Sequence, residues 1–210
     1  MTTCSCGTIL RNGEKKCQQC RRIQMFVNGF PAHLIPAGLP GVIVRNLEKR
    51  RKVTLPEPFD RGFFLYGPAG HGKSHQAAAL LLNLLENGTV RGMSYKWVNI
   101  PEMLFSLRSS YQSNQSSFEK DLIESCAGVD WLCLDDLGAE KTTDWTMSTL
   151  YLIINKRYES GKITVVTSNL SFEELDERFG DDRLVSRIQG MCEPYLINSK
   201  VGDRRIPSNG

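Results

Sequence analysis

The chain has 210 residues, of which 40% are hydrophobic and 23% are charged, and its formal net charge is +3. This length allows one substantial domain with an appendage, and the composition is ordinary for a globular fold. No stretch is apolar for long enough to cross a bilayer, and the amino terminus lacks the charged-then-apolar pattern of a signal peptide. We therefore expect a cytoplasmic protein with no membrane partner, whose cysteines are thiols or metal ligands.

The charge is unevenly distributed along the chain. Residues 1–61 hold 11 Lys or Arg against 4 Asp or Glu, a net charge of +7, whereas residues 62–210 hold 15 against 19, a net charge of −4. The basic end is therefore the better face for an acidic partner, nucleic acid included.

Four cysteines lie in two close pairs within the first twenty residues: Cys4, Cys6, Cys17 and Cys20. Four thiolates separated by a loop suit a tetrahedral Zn²⁺ site in a segment too short to bury a core. We predict a zinc-binding segment at residues 1–22, although the first pair is tighter than the usual C-x-x-C. The alternative is a tail without metal whose cysteines are reactive.

Residues 23–61 form a predicted linker, because five prolines interrupt any long helix there. A short helix over residues 42–52 would carry five basic side chains: Arg45, Lys49, Arg50, Arg51 and Lys52. Two interpretations remain open for this cluster. It is either a solvated helix face or a contact with DNA or an acidic protein.

From residue 62 onward, short apolar runs alternate with longer helical ones, which predicts a parallel sheet with helices on both faces. The predicted strands are 62–66, 95–99, 131–135, 163–167 and 194–198. The predicted helices are 73–87, 101–108, 118–127, 144–160 and 172–189. Residues 106–117 are rich in Ser, Gln and Asn and are predicted to be an exposed loop.

A phosphate-binding motif, G-x-x-x-x-G-K-S, lies between the first predicted strand and helix. Its glycines allow backbone N–H groups to surround a phosphate, its lysine reaches the β and γ oxygens, and its hydroxyl ligates Mg²⁺. The following helix directs its positive end toward the same phosphates. The predicted nucleotide-binding residues are Gly67, Pro68, Ala69, Gly70, His71, Gly72, Lys73, Ser74 and His75, with Ser74 also a magnesium ligand.

Two adjacent carboxylates, Asp135 and Asp136, follow the apolar run 131–134. In a P-loop NTPase an Asp in this position holds magnesium, and we assign that role to Asp135. Asp136 is the candidate to polarise the attacking water. A kinase would place the magnesium-binding strand directly beside the P-loop strand, whereas a further strand fits between them in ATPases of the RecA and AAA+ kinds. We take the predicted strand 95–99 as that intervening strand, which favours an ATPase of these kinds over a small-molecule kinase.

Two further candidates follow in the chain. Asn169 ends a buried strand and is predicted to orient the hydrolytic water or to sense the γ-phosphate, with a helix cap before Ser171 as the alternative. Arg183 and Arg187 are four residues apart on one helix face. An arginine supplied by a neighbouring subunit neutralises charge on the γ-phosphate, whereas the alternative is an ion pair with Glu177, Asp181 or Asp182.

With these motifs in this order, the chain resembles AAA+ ATPases and, more closely, the bacterial and phage helicase-loader family that includes DnaC, DnaI and the transposition helper IstB. The residues that carry the resemblance are 67–74, 134–138, 154–159, 167–170 and 183–188. The resemblance identifies residues 62–210 as an AAA+ ATPase domain. It implies that Asn169 is the sensor 1 residue and that Arg187, or second Arg183, is the arginine finger.

The resemblance also implies partners. It predicts ATP and Mg²⁺ as cofactors, self-association in the ATP state, binding of single-stranded DNA, and delivery of a hexameric, DnaB-like replicative helicase. Segments after the second strand are expected to line the pore of the oligomer, which makes Arg108, Tyr111 and Lys120 the candidate DNA contacts. Two rival functions remain open: a transposition helper that assembles on duplex DNA, and an ATP-switched module that regulates a protein partner without DNA.

Overall fold

The structure is a computed structural model that describes residues 61–86, 93–112 and 116–198. The predicted zinc-binding segment at 1–22, with Cys4, Cys6, Cys17 and Cys20, lies outside the described residues. So does the predicted linker, apart from its last residue.

The chain divides into two compact units. One unit comprises Met1–Pro56 and Ser74–Gly92, and its described part belongs to helix α1 (Lys73–Glu86), in which residues 77–81 are buried. The other unit comprises Glu57–Lys73 and Met93–Gly210 and contains the whole sheet. The boundary between the units thus falls between the lysine and the serine of the phosphate-binding motif.

A five-stranded sheet forms the second unit's centre, as predicted. Its strands are β1 (Gly62–Tyr66), β2 (Tyr95–Asn99), β3 (Trp131–Leu137), β4 (Ile163–Ser168) and β5 (Cys192–Leu196). They pair in parallel in the order β2-β3-β4-β1-β5. The expectation that strand 95–99 lies between the two motif strands is wrong, because β4 separates β1 from β3 and β2 is at the edge of the sheet. This order matches the AAA+ type of P-loop fold.

Five helices of the same unit pack with the sheet. They are α2 (Ile100–Gln112), α3 (Ser116–Gly128), α4 (Asp144–Glu159), α5 (Phe172–Phe179) and α6 (Asp182–Met191). Their apolar residues join Phe64, Leu132, Leu134 and Val166 of the strands in one core cluster. The alternate strand residues Trp131 and Cys133 are buried as well, as expected for a parallel sheet. Among the described residues, no helix is long and apolar enough to span a membrane.

Three predicted boundaries are wrong. The predicted helix 172–189 is two helices, because Gly180 ends α5 with φ +63° and the side chain of Asp181 caps α6. The predicted loop 106–117 is helical at both ends, because α2 continues to Gln112 and α3 begins at Ser116; the hydroxyls of Ser106 and Ser109 donate to carbonyls four residues earlier in α2. The last strand begins at Cys192 rather than residue 194.

Arg157 of α4 is a completely buried charge that joins several elements. It donates to the Thr164 hydroxyl at 2.9 Å and to the carbonyls of Cys126, Ala127, Val129, Asp130 and Ile163. Two of these carbonyls belong to the last turn of α3, where the helix dipole favours a cation. Burial lowers the pKa of Arg157 to about 10, so the group stays charged at neutral pH.

We expect Arg157→Met to lower the free energy of unfolding by more than about 3 kcal/mol, because it leaves several buried carbonyls without a donor. The neighbouring Lys156 is the matched control, since its ion pair with Glu124 is exposed to solvent and should contribute little to stability. Urea unfolding of Arg157→Met and Lys156→Ala measures both. Equal losses in the two variants would contradict the central role of Arg157.

Candidate nucleotide-binding site

The phosphate-binding motif occupies the loop between β1 and α1. Gly67, its first residue, has φ +134°, a conformation that L side chains rarely adopt. A Cβ atom at Gly67 would also lie 2.6 Å from the carbonyl oxygen of Ile197. Ile197 in turn donates its N–H to the carbonyl of Tyr66 at 2.7 Å. Only glycine therefore allows the chain to leave β1 along this path.

Lys73 is buried, with 5% of its surface exposed. Its ammonium donates to the carbonyl oxygens of Gly67 at 2.8 Å and Pro68 at 2.9 Å, and to Oδ1 of Asn169 at 2.7 Å. These hydrogen bonds compensate the loss of hydration of the ammonium group. Because β1 and β4 are neighbours, the pairing of these strands brings Lys73 and Asn169 together although they are 96 residues apart.

The two aspartates lie in a β-bulge of β3. Leu134 pairs with Val166 and Leu137 pairs with Ser168, so Asp135 and Asp136 together face the single residue Thr167. Asp136 adopts φ +64° and is the one described residue other than glycine with a positive φ. The bulge therefore gives the two carboxylates different directions, as expected for residues with different roles.

The Thr167 hydroxyl bridges the bulge. It donates to Oδ1 of Asp135 at 2.7 Å and accepts the backbone N–H of Asp136 at 3.0 Å. Asp135 is only 2% exposed, so this hydrogen bond supports a carboxylate that has lost most of its hydration. One hydroxyl thus orients Asp135 and holds the backbone of Asp136.

Asn99, at the end of β2, contacts Asp136. Its Nδ2 donates to Oδ2 of Asp136 at 3.4 Å, and its Oδ1 accepts the N–H of Glu102 in the first turn of α2 at 3.1 Å. The amide orientation is set by these two contacts, because only the nitrogen can donate. Asn99 therefore joins the start of α2 to the carboxylate of Asp136.

Asn169 does not cap the helix that follows it. The cap of α5 is Ser171, whose hydroxyl accepts the N–H of Glu174 while the Glu174 carboxylate accepts the N–H of Ser171. The capping alternative for Asn169 is therefore wrong. Its side-chain oxygen holds Lys73 instead.

Arg183 and Arg187 lie on α6 beside the ring of Tyr151 in α4. Arg183 forms a bidentate pair with Asp181, with N···O distances from 2.6 to 3.0 Å, so the ion-pair alternative is what the structure contains for Arg183. Arg187 donates instead to the side-chain oxygen of Asn155 and to the carbonyl of Arg183. Among the described residues, no carboxylate forms a salt bridge with Arg187.

The predicted DNA contacts lie on α2 and α3. Arg108 is exposed, and its guanidinium lies 5.5 Å from the ring centre of Trp145, whose indole N–H donates to Glu119. Lys120 is exposed on α3, and the side chain of Tyr111 lies outside the described residues. No described contact brings Arg108 and Lys120 together.

The other predicted ligands are distributed as follows. Pro68, Ala69, Gly70, His71 and Gly72 complete the loop before α1, and Ser74 and His75 lie in its first turn. Within residues 61–86, 93–112 and 116–198, no cluster of three or more His, Cys, Asp or Glu side chains could hold a metal ion. Magnesium at Ser74 and Asp135 remains a prediction, as do the nucleotide contacts.

Four residues of these sites were missed from the sequence: Asn99, Tyr151, Asn155 and Thr167. The sequence contains one indication for Asn99 and Thr167: both are polar residues at the carboxyl end of a predicted parallel strand. Such residues lie at the edge of the sheet where ligands bind. Asn155 lies in the run 154–159 that carries the family resemblance, but no role was assigned to it. Tyr151 carries no such indication, since its contact with Arg187 depends on which helix packs beside α4.

Comparison with known proteins places these features in a family. The family model described as IstB-like ATP binding protein matches residues 59–191, more than half of the chain. Protein YqaM of Bacillus subtilis is 28% identical over 145 residues, which cover 67% of this chain and 43% of YqaM. The replicative helicase loader DnaC of Escherichia coli is 26% identical over 136 residues, which cover 63% of this chain and 53% of DnaC. The chain spans about half the length of these curated relatives.

A solved structure shows the same fold. The crystal structure of DnaI superposes with a TM-score of 0.60 and 24% sequence identity, covering 80% of this chain and 95% of DnaI. The similarity covers the P-loop AAA+ architecture described above.

We expect Thr167→Val to lower the free energy of unfolding by about 1–3 kcal/mol, because it removes the hydroxyl that supports buried Asp135 and the N–H of Asp136. Thr167→Ser keeps this hydroxyl and is the matched control, with a smaller loss from one missing methyl group. Thermal and urea unfolding of both variants test this difference. Identical stabilities would show that the hydroxyl does not support the bulge.

Proposed function

Because this chain belongs to the family of IstB-like ATP-binding proteins, we propose that it is a P-loop ATPase that loads a hexameric replicative helicase onto single-stranded DNA. Its matched region is also similar to the replicative helicase loader DnaC. The loading activity and the helicase partner are proposals, since the chain matches only part of that relative's length.

One observation carries the ATPase assignment. A buried ammonium, Lys73, and a buried carboxylate, Asp135, are held at the same edge of the sheet by two polar residues of β4 and its end, Asn169 and Thr167. A cation and an anion at one edge fit a triphosphate and its divalent cation, whose charges they complement. Either charge would be costly to bury without such a ligand or its present hydrogen bonds.

Each residue of this edge then has a role. Lys73 and the loop 67–72 bind the phosphates, and Ser74 and Asp135 hold Mg²⁺, which supplies charge neutralisation on the phosphate oxygens when bound. Asp136 accepts the proton of the water that attacks the γ-phosphorus, as the bond from phosphorus to the ADP oxygen breaks. Asn99 orients the Asp136 carboxylate through its amide hydrogen bond.

Arg187 is the residue we assign as the arginine finger, acting on ATP bound by a second copy of the chain. It forms no salt bridge with a carboxylate among the described residues, whereas Arg183 forms a direct ion pair with Asp181. Self-association in the ATP state follows from this assignment, because the finger acts only when a neighbour is present.

The DNA contact is proposed on α2. Phe105 is 73% exposed and lies one turn before Arg108, so an aromatic ring and a guanidinium share one helix face. Such a pair suits stacking on a base together with neutralisation of the backbone, with Lys120 of α3 adding charge. Asn99 contacts both the first turn of α2 and the carboxylate of Asp136. It therefore couples the DNA contact on α2 to the candidate catalytic residue.

The family name supports one rival function, a transposition helper that assembles on duplex DNA. A protein-regulating ATP switch without DNA is the other. The two Cys pairs near the amino terminus, if they bind Zn²⁺, form a further segment for contact with the helicase.

We expect Lys73→Ala to abolish ATP binding, because no other buried cation lies at this edge among the described residues. Isothermal titration with ATP and Mg²⁺ measures the affinity. Lys141→Ala, which removes an exposed lysine near the same edge, is the control and should bind normally. Normal ATP affinity in Lys73→Ala would overturn the nucleotide site.

We expect labelled single-stranded DNA to bind more tightly than duplex DNA when an ATP analogue replaces ADP, with affinity falling between about 50 and 200 mM salt. Fluorescence anisotropy measures this. Phe105→Ala and Arg108→Ala should each weaken the binding, whereas Tyr158→Ala, an exposed aromatic on α4, should not. Preference for duplex would favour the transposition helper, and no binding to either DNA would favour the protein switch.

A further inference from the structure

Two arginines of α6, Arg183 and Arg187, lie beside the ring of the same tyrosine, Tyr151 of α4. The guanidinium carbon of Arg187 lies 4.7 Å from the ring centre of Tyr151, and that of Arg183 lies 5.5 Å away. Both distances allow a cation–π attraction. Two like charges on one ring repel each other, however, so the arrangement needs a group that neutralises one of them.

Asp181 is that group: its side-chain hydrogen bonds from guanidinium groups come from Arg183, although its charge also interacts with that of Arg187. Its carboxylate accepts from Nε and Nη2 of Arg183 and also caps the first turn of α6. The pair lowers the pKa of Asp181 to about 2, so it remains ionised throughout the neutral range. The positive charge of Arg183 is therefore neutralised by the carboxylate of Asp181.

Among the described residues, the hydrogen bonds of Arg187 all go to neutral groups. Its Nε donates to Oδ1 of Asn155, its Nη1 donates to the carbonyl of Arg183 at 3.0 Å, and its plane lies over the Tyr151 ring. Asn155 is itself oriented, because its Nδ2 donates to Glu159 one turn later at 2.8 Å and so directs its oxygen at Arg187. These contacts fix the direction of the guanidinium without cancelling its charge.

We propose that Tyr151 and Asn155, one turn apart on α4, are positioning residues that hold Arg187 ready for the γ-phosphate of ATP bound by a second copy of this chain. This inference rests on the proposed function, in which Arg187 is the finger. A charge oriented in advance stabilises a transition state without the cost of ordering a flexible side chain during the reaction.

The surface around this cluster is open to a neighbour. A groove of about 480 Å³ lies beside it, with Tyr151, Leu152 and Arg183 among its lining residues. Leu152, which lines the groove, is 46% exposed. Tyr151 lines the groove and also contacts Arg187, so a second copy that reached Arg187 would lie next to the groove.

The test measures ATP turnover at concentrations where light scattering shows self-association. Arg187→Ala should lower kcat by about 10³-fold or more, with ATP affinity unchanged. Asn155→Ala and Tyr151→Leu should lower kcat by about 10- to 100-fold, also without a change in ATP affinity, because they misplace the same guanidinium.

Tyr151→Phe keeps the ring and should have nearly normal turnover. Asn155→Asp should lower kcat too, since it neutralises Arg187 while keeping a contact.

Two further measurements separate positioning from a general structural effect. In an Arg187→Ala background, adding Asn155→Ala should cause no further loss of kcat, because Asn155 acts through Arg187. Mixing Asn155→Ala copies with Asp136→Asn copies should recover turnover, since the latter supply an intact Arg187 to the former's active sites.

The outcomes are distinguishable. Unchanged turnover in Arg187→Ala overturns the proposed finger itself. A large loss in Arg187→Ala with normal turnover in Asn155→Ala and Tyr151→Leu overturns only the positioning role, as does a further loss in the double variant. If Tyr151→Leu fails to fold, the comparison of Asn155→Ala with Asn155→Asp and the mixing experiment decide the question.

Discussion

The removal of two opposite charges from water at one edge of the sheet is the constraint on which the rest of this site depends. Lys73 and Asp135 are both almost fully buried, and hydrogen bonds of Lys73 to Gly67, Pro68 and Asn169 and of Asp135 to Thr167 offset the lost hydration. Thr167 and Asn169 are two residues apart, so a single strand supports both charges. This is why β4 must lie between β1 and β3.

A third buried charge stabilises the frame away from this edge. Arg157 has no carboxylate partner among the described residues and is satisfied instead by carbonyls from the end of α3, the segment before β3, and β4. A guanidinium suits this task because its planar fork presents five donors in fixed directions. The carbonyls that end α3 are therefore satisfied inside the protein, and α3 and α4 are held at a defined distance from the strands.

The candidate catalytic groups lie on two separate surfaces. Lys73, Asp135, Asp136 and Asn169 lie at the carboxyl edge of the sheet, whereas Arg187 lies between α4 and α6, where neutral side chains orient it. On the proposed function, a complete site forms only where these surfaces of two copies meet. ATP would then be hydrolysed only by assembled copies. Such dependence on assembly is the behaviour of a switch rather than of a metabolic enzyme.

The sequence by itself determined the phosphate-binding loop, the five strands and the aspartate pair, because each depends on residues that are contiguous or on a local apolar period. Helix boundaries within 106–117 and at Gly180 were wrong, since serine side chains can bond to their own helix and a glycine can either continue or end one. Three contacts could be known only from the folded structure: Thr167 opposes both aspartates, Asn99 reaches Asp136, and Arg187 lies over the ring of Tyr151. These contacts depend on strand order, bulge register and helix packing, which arise from interactions between residues far apart in the chain.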